Sequence, residues 1–131
     1  MSKNRGAYAI VLLCFAWNIA LLIGVVLNLG FAHSRAAGGQ YLHFPVGIRV
    51  AYILQLALVL WQAWTVKLLF NSVTVKPVWL PKAFFIIGIL GILLNAASRS
   101  SNERLNVIPA AVITWAFWQY GMRKSKSSIH E

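Results

Sequence analysis

Four long apolar runs, broken only by short polar segments, constrain this chain more than any single residue does. They cover about residues 7–31, 46–70, 82–98 and 101–120, each close to the ~20 residues that carry a helix across a bilayer. The hydrophobic share is 60% and only 11% of residues are charged, well beyond the roughly 45–50% apolar content of soluble domains. With 131 residues there is room for one domain, and too little interior to hide that much apolar side chain from water. The expectation is an all-α integral membrane protein, with four transmembrane helices in an antiparallel up-down bundle over 1–122 and a basic cytoplasmic tail over 123–131. The first run reads as a retained anchor, because the apolar stretch of a cleaved signal is only about 7–15 residues long.

Lysine and arginine set the orientation. With four crossings, the termini and the middle loop share the side that holds Lys3, Arg5, Lys67, Lys76, Lys82, Arg123, Lys124 and Lys126. The opposite side holds Arg35, Arg49, Arg99 and Arg104. That excess predicts a multi-pass protein of the plasma (inner) membrane with both termini cytoplasmic. The net charge of +10 belongs to the same pattern. Its residues are spread between the apolar runs instead of forming a patch, which favours lipid head groups over nucleic acid as the partner. KPVWLPK (76–82) supplies an interfacial turn, with Pro77 and Pro81 breaking helices and Trp79 at belt depth.

Glu103 is the only acidic residue before position 131, set between Arg99 and Arg104. SSNE (100–103) fits the capping box, in which Ser and Glu side chains satisfy the free N–H groups at a helix start. The two arginines are expected to neutralise the carboxylate, and Pro109 to kink the helix that follows. Around this turn, Arg35, Arg49, Asn95, Arg99, Glu103 and Arg104 form a candidate polar or anion-binding cluster at the arginine-bearing end.

Small residues recur at helical spacing. Ala16, Ala20, Gly24 and Asn28 mark one face of the first run, and Gly88, Gly91, Asn95 and Ser98 one face of the third. Such stripes let helix backbones approach closely, and the two faces are expected to meet. IGVVLN (23–28) also matches LGILLN (90–95), and LWQAWTVK (60–67) matches FWQYGMRK (117–124). These likenesses fit two helical hairpins in parallel repeat. Deep in the runs lie Asn18, Gln55 and Gln62, whose neutral amides are expected to join helices.

The chemistry of catalysis is sparse. Asp is absent, no Gly-x-Ser-x-Gly elbow, P-loop or dinucleotide fingerprint occurs, and Cys14 stands alone. His33 and His43 bracket one loop while His130 lies in the tail, an arrangement suited neither to zinc nor to haem. No catalytic residue, metal or cofactor is expected. The functional expectation is a non-catalytic accessory or assembly subunit, working through helix contacts in a homo-oligomer or a larger membrane complex. The alternatives are a small oligomeric transporter or channel with Arg49, Gln55 and Gln62 along its route, and an outward-facing binder of lipid head groups or anions.

Overall fold

The computed structural model describes residues 2–98 and 100–123, and these are helical with no strand among them. Helix α1 is Ser2–Val26, α2 is Val46–Phe70, α3 is Leu80–Ala96, α4 is the single turn Ser101–Arg104 and α5 is Val107–Ala116. A π-helical segment, Phe117–Arg123, continues α5. The sequence-predicted tail beyond Arg123 lies outside the described residues.

Two helices, α1 over Arg5–Val26 and α2, are long and apolar enough to cross a membrane, with mean hydropathies of 2.6 and 1.6. The other two runs depart from the expected uninterrupted spans. Helix α3 has 17 residues, roughly 25 Å at 1.5 Å per residue. The fourth run is divided, because Leu105 and Asn106 form a turn between α4 and α5. Proline explains the position of this break. Pro109 has no N–H to give Leu105, four residues earlier, and its ring crowds that carbonyl. The kink therefore falls ahead of the proline.

The first run is also shorter than expected at its far end, stopping at Val26 rather than Phe31. Asn28 turns the chain with φ of 58°. Gly24 is open enough for the returning Phe31 ring, whose Cζ would lie 2.6 Å from a Cβ at that position. Arg49 closes the helix end, its Nε donating to the Val26 carbonyl at 2.7 Å. A cation at a helix C-terminus satisfies a free carbonyl and complements the dipole.

Helix α1 packs on α2 and α5, and α3 packs on α5 and the π-helical segment, which also touches α2. Around the bundle the order is α2, α1, α5, α3. Helices α1 and α3 are thus diagonal, which corrects the expectation that their small-residue faces meet. Gly88 instead admits Thr114 of α5, whose Oγ1 a Cβ at that position would strike, while Ala16 and Ala20 face outward. The fourth side, α2 against α3, is joined near the lysine-bearing end by the Trp61 and Phe84 rings, 5.2 Å apart and perpendicular.

Apolar packing is densest toward that same end. Val11, Phe15, Val66, Leu80, Phe84 and Phe117 are buried together there. Large apolar side chains also cover the outside, among them Leu13, Leu54, Leu94 and Ile108.

Candidate functional site

The bundle is not filled to its other end. Between α1, α2, α3 and α5 lies a cavity of about 160 Å³, room for on the order of ten waters or one small organic group. Its position follows from what the helices present. Tyr52, Gln55, Val59 and Gln62 occupy one face of α2 at spacings of three and four, and Asn106, Ala110, Ile113 and Thr114 do the same for α5. Asn18 of α1 and Asn95 of α3 complete the polar lining. Gly91 lines it too, and a Cβ there would touch nothing within 4 Å. Its missing side chain is part of the empty space.

Gln62 is the decisive group. The residue is 8% exposed and has no hydrogen-bond partner among the described residues, yet its side chain borders the cavity. Among the described residues no buried side-chain polar atom lacks a partner, so the Gln62 amide atoms open onto the cavity, where water or a hydrogen-bonding occupant meets them. Neither Gln62 nor Gln55 joins two helices, contrary to the role expected for them. Other lining side chains are already engaged. Thr114 Oγ1 donates to the Ala110 carbonyl at 2.7 Å, Asn95 Nδ2 to the Gly91 carbonyl at 2.9 Å, and Tyr52 Oη accepts from the Ala37 N–H at 3.2 Å.

The arginine-bearing end is roofed by the loop between α1 and α2. Asn106 holds it down, its Nδ2 donating to the Arg35 carbonyl at 3.3 Å and its Oδ1 accepting from Trp17 Nε1 at 3.1 Å. Glu103 adds a second tie. Its Oε2 accepts from the Gly38 N–H at 2.6 Å and from Ser98 Oγ at 2.7 Å. Gly38 has φ of 73°, a backbone state that glycine enters without steric cost. Two more contacts run from α4 to Ser34: Ser100 Oγ donates to its carbonyl and Asn102 Nδ2 to its hydroxyl.

The capping box is half formed. Ser100 Oγ accepts from the Glu103 N–H at 3.3 Å, while the Ser100 N–H turns to Ser98 Oγ at 3.1 Å. The carboxylate is thereby free to reach across to the loop, and that tie takes the place of the expected pairing with Arg104, which is exposed. Arg99 lies outside the described residues.

Asn28, expected in a helix contact, organises the loop. Its Oδ1 accepts from the Phe44 N–H at 2.9 Å and from His33 Nε2 at 3.0 Å, and its Nδ2 donates to His43 Nδ1 at 3.0 Å. The backbone donor fixes which end of the amide is oxygen, so His33 Nε2 donates to it and His43 Nδ1 accepts from its nitrogen.

Of the sequence-predicted cluster, Arg35, Asn95 and Glu103 come together on the cavity lining. Arg49 is engaged at the α1 terminus. Tyr52, Asn106 and Thr114 were not singled out from the sequence. A polar residue three or four positions from another deep polar residue was the available signal, as Tyr52 is from Gln55. No family model, no curated protein and no solved structure matches the chain.

Proposed function

We propose that the chain is a four-span protein of the plasma membrane, both termini cytoplasmic, which holds a small hydrogen-bonding ligand inside its bundle as the binding unit of a minimal transporter. The membrane setting is supported by the apolar exterior, the lysine and arginine asymmetry, and the length of α1 and α2. Spans as short as α3 are accommodated by local thinning of the bilayer at modest cost. The observation that carries the ligand reading is Gln62, a residue only 8% exposed whose amide has no partner among the described residues and opens onto the cavity. Pockets of this kind, mostly apolar with a few converging polar groups, are where small ligands bind between helices.

Native mass spectrometry of the protein released from its own membrane tests the reading. The expected result is a bound species of defined mass that is lost in Gly91→Leu, whose side chain fills the cavity. Identical spectra for both forms, showing bulk lipid alone, would overturn it.

A second reading, as an assembly subunit, draws on Ala16 and Ala20, which lie exposed on α1 and suit close contact with another helix. Cysteine at position 20, in a chain lacking Cys14, is expected to cross-link to a neighbour in native membranes. A monomeric product sinks that reading and leaves the first untouched.

A further inference from the structure

We infer that the ligand enters sideways from the lipid phase, through the seam between α2 and α3, and is an amphiphile with a compact uncharged head. This rests on the ligand-holding reading above and specifies its route and chemical class. Three features of the cavity lead here.

Both ends are shut. Toward the arginine-bearing loops, the Asn106 and Glu103 ties hold down the 35–38 segment, and Ala36 within it is 2% exposed. Toward the lysine-bearing end, Phe84 and Phe117 pack with ring centroids 5.3 Å apart, and both are fully buried. Both plugs stand in the way of a water-soluble solute.

The side is different. Among the described lining residues, Gln55 of α2 and Ile87 of α3 alone are exposed. They belong to the two neighbouring helices that lack close backbone packing against each other. A polar amide and an apolar side chain thus flank one opening. Gln55 lies nine residues into α2, roughly 13 Å along its axis and so beside hydrocarbon in the proposed orientation.

The chemistry of the wall then selects the head. Gln55 and Gln62 sit seven residues apart on one face, roughly 10 Å along the axis, and offer neutral donors and acceptors on the way in. Leu58, Val59 and Ile87 between and beside them are apolar. An ionised head would shed its hydration to pass this seam. At the far wall, Arg35 and Glu103 carry opposite charges and favour neither ion. The tail stays in the seam and the bilayer.

The test uses the full chain in phosphatidylcholine nanodiscs with three probes: 1-monooleoylglycerol, which is uncharged, oleyl phosphate, which is charged, and glycerol, which has no tail. Saturable binding of monooleoylglycerol is expected, at least tenfold tighter than oleyl phosphate, with no binding of glycerol. Gly91→Leu and Gln62→Leu should each weaken it tenfold or more, and circular dichroism with gel filtration verifies that each variant is folded. For the route, Gln55→Cys and Ile87→Cys in a Cys14→Ala chain are joined by a reducible bifunctional thiosulfonate. Entry of monooleoylglycerol should slow at least tenfold and recover on reduction. Unchanged entry in the cross-linked chain overturns the lateral route while leaving the cavity as a binding site. Binding of glycerol, or a preference for oleyl phosphate, overturns the ligand class. Loss of neither Gly91→Leu nor Gln62→Leu sensitivity is expected; if both variants bind as the parent does, the route, the class and the ligand reading fall together.

Discussion

The Gly38 N–H donates to Glu103 Oε2 at 2.6 Å across 65 residues of sequence. One carboxylate thus joins the loop after α1 to the turn before α5, and it does so through backbone rather than through an arginine. Hydrogen bonds to ionised groups contribute about 1.5–3 kcal/mol, more than neutral ones. Glu103→Ala is therefore expected to lower stability by about 2–4 kcal/mol, since it removes both the Gly38 and Ser98 partners. Glu103→Gln, keeping one acceptor oxygen, should lose less. Thermal unfolding in mild detergent gives the order, and equal effects of the two variants would contradict it.

Asn28 combines a backbone demand with a side-chain one. Its φ of 58° costs most other residues roughly 1–2 kcal/mol, which glycine avoids. Asn28→Gly loses the three side-chain bonds alone, whereas Asn28→Ala loses them and adds strain. Alanine should be the more damaging replacement by about 1 kcal/mol. Faster hydrogen exchange at the Phe44 amide is expected in both variants.

Gly88 and Gly91 lie three residues apart on α3 but meet different surroundings. A methyl group at Gly88 would collide with Thr114, which is buried and hydrogen-bonded to Ala110. Overpacking of this kind costs about 1–3 kcal/mol. At Gly91 the same methyl enters open space, and helix propensity favours alanine by up to about 1 kcal/mol. Gly88→Ala should lower the melting temperature and Gly91→Ala should hold or raise it. The reverse order would show the α3–α5 contact to be misplaced.

Pro109→Ala restores the α-helical donor to the Leu105 carbonyl, which now accepts from the Ile108 N–H at 3.2 Å. Helicity around Leu105 and Asn106 should rise, visible as slower amide exchange there. The straightened segment pulls Asn106 from Trp17 and Arg35, so the roof over the cavity should loosen, with faster exchange at Ala37 and Gly38.

The proposed orientation has its own test. Cysteines placed singly at Lys76 and Ser101, in a Cys14→Ala chain, should react with a membrane-impermeant maleimide from opposite sides. Labelling of both from outside intact cells would reverse the argument from the basic residues.

Much of the outline was legible beforehand. Apolar run length and the proline and glycine positions are local properties, and they marked the helices from Val46 to Phe70 and around Ser101 with little ambiguity. The half-formed capping box at Ser100 was equally local. What failed was the assignment of partners. Gly24 and Gly88 are both close-contact positions, yet one admits its own returning loop and the other admits α5.

Helical class, the bounds of α2 and the asymmetry of basic residues were thus decided by sequence alone, because each depends on neighbours along the chain. The diagonal placing of α1 and α3, the reach of Glu103 to Gly38, the use of Asn28 and the unfilled space around Gln62 were decided by tertiary structure. The reason is rotational. Helices that are apolar nearly all round carry little sign of which face turns inward, so the partners of each polar side chain are set only when four helices lock together.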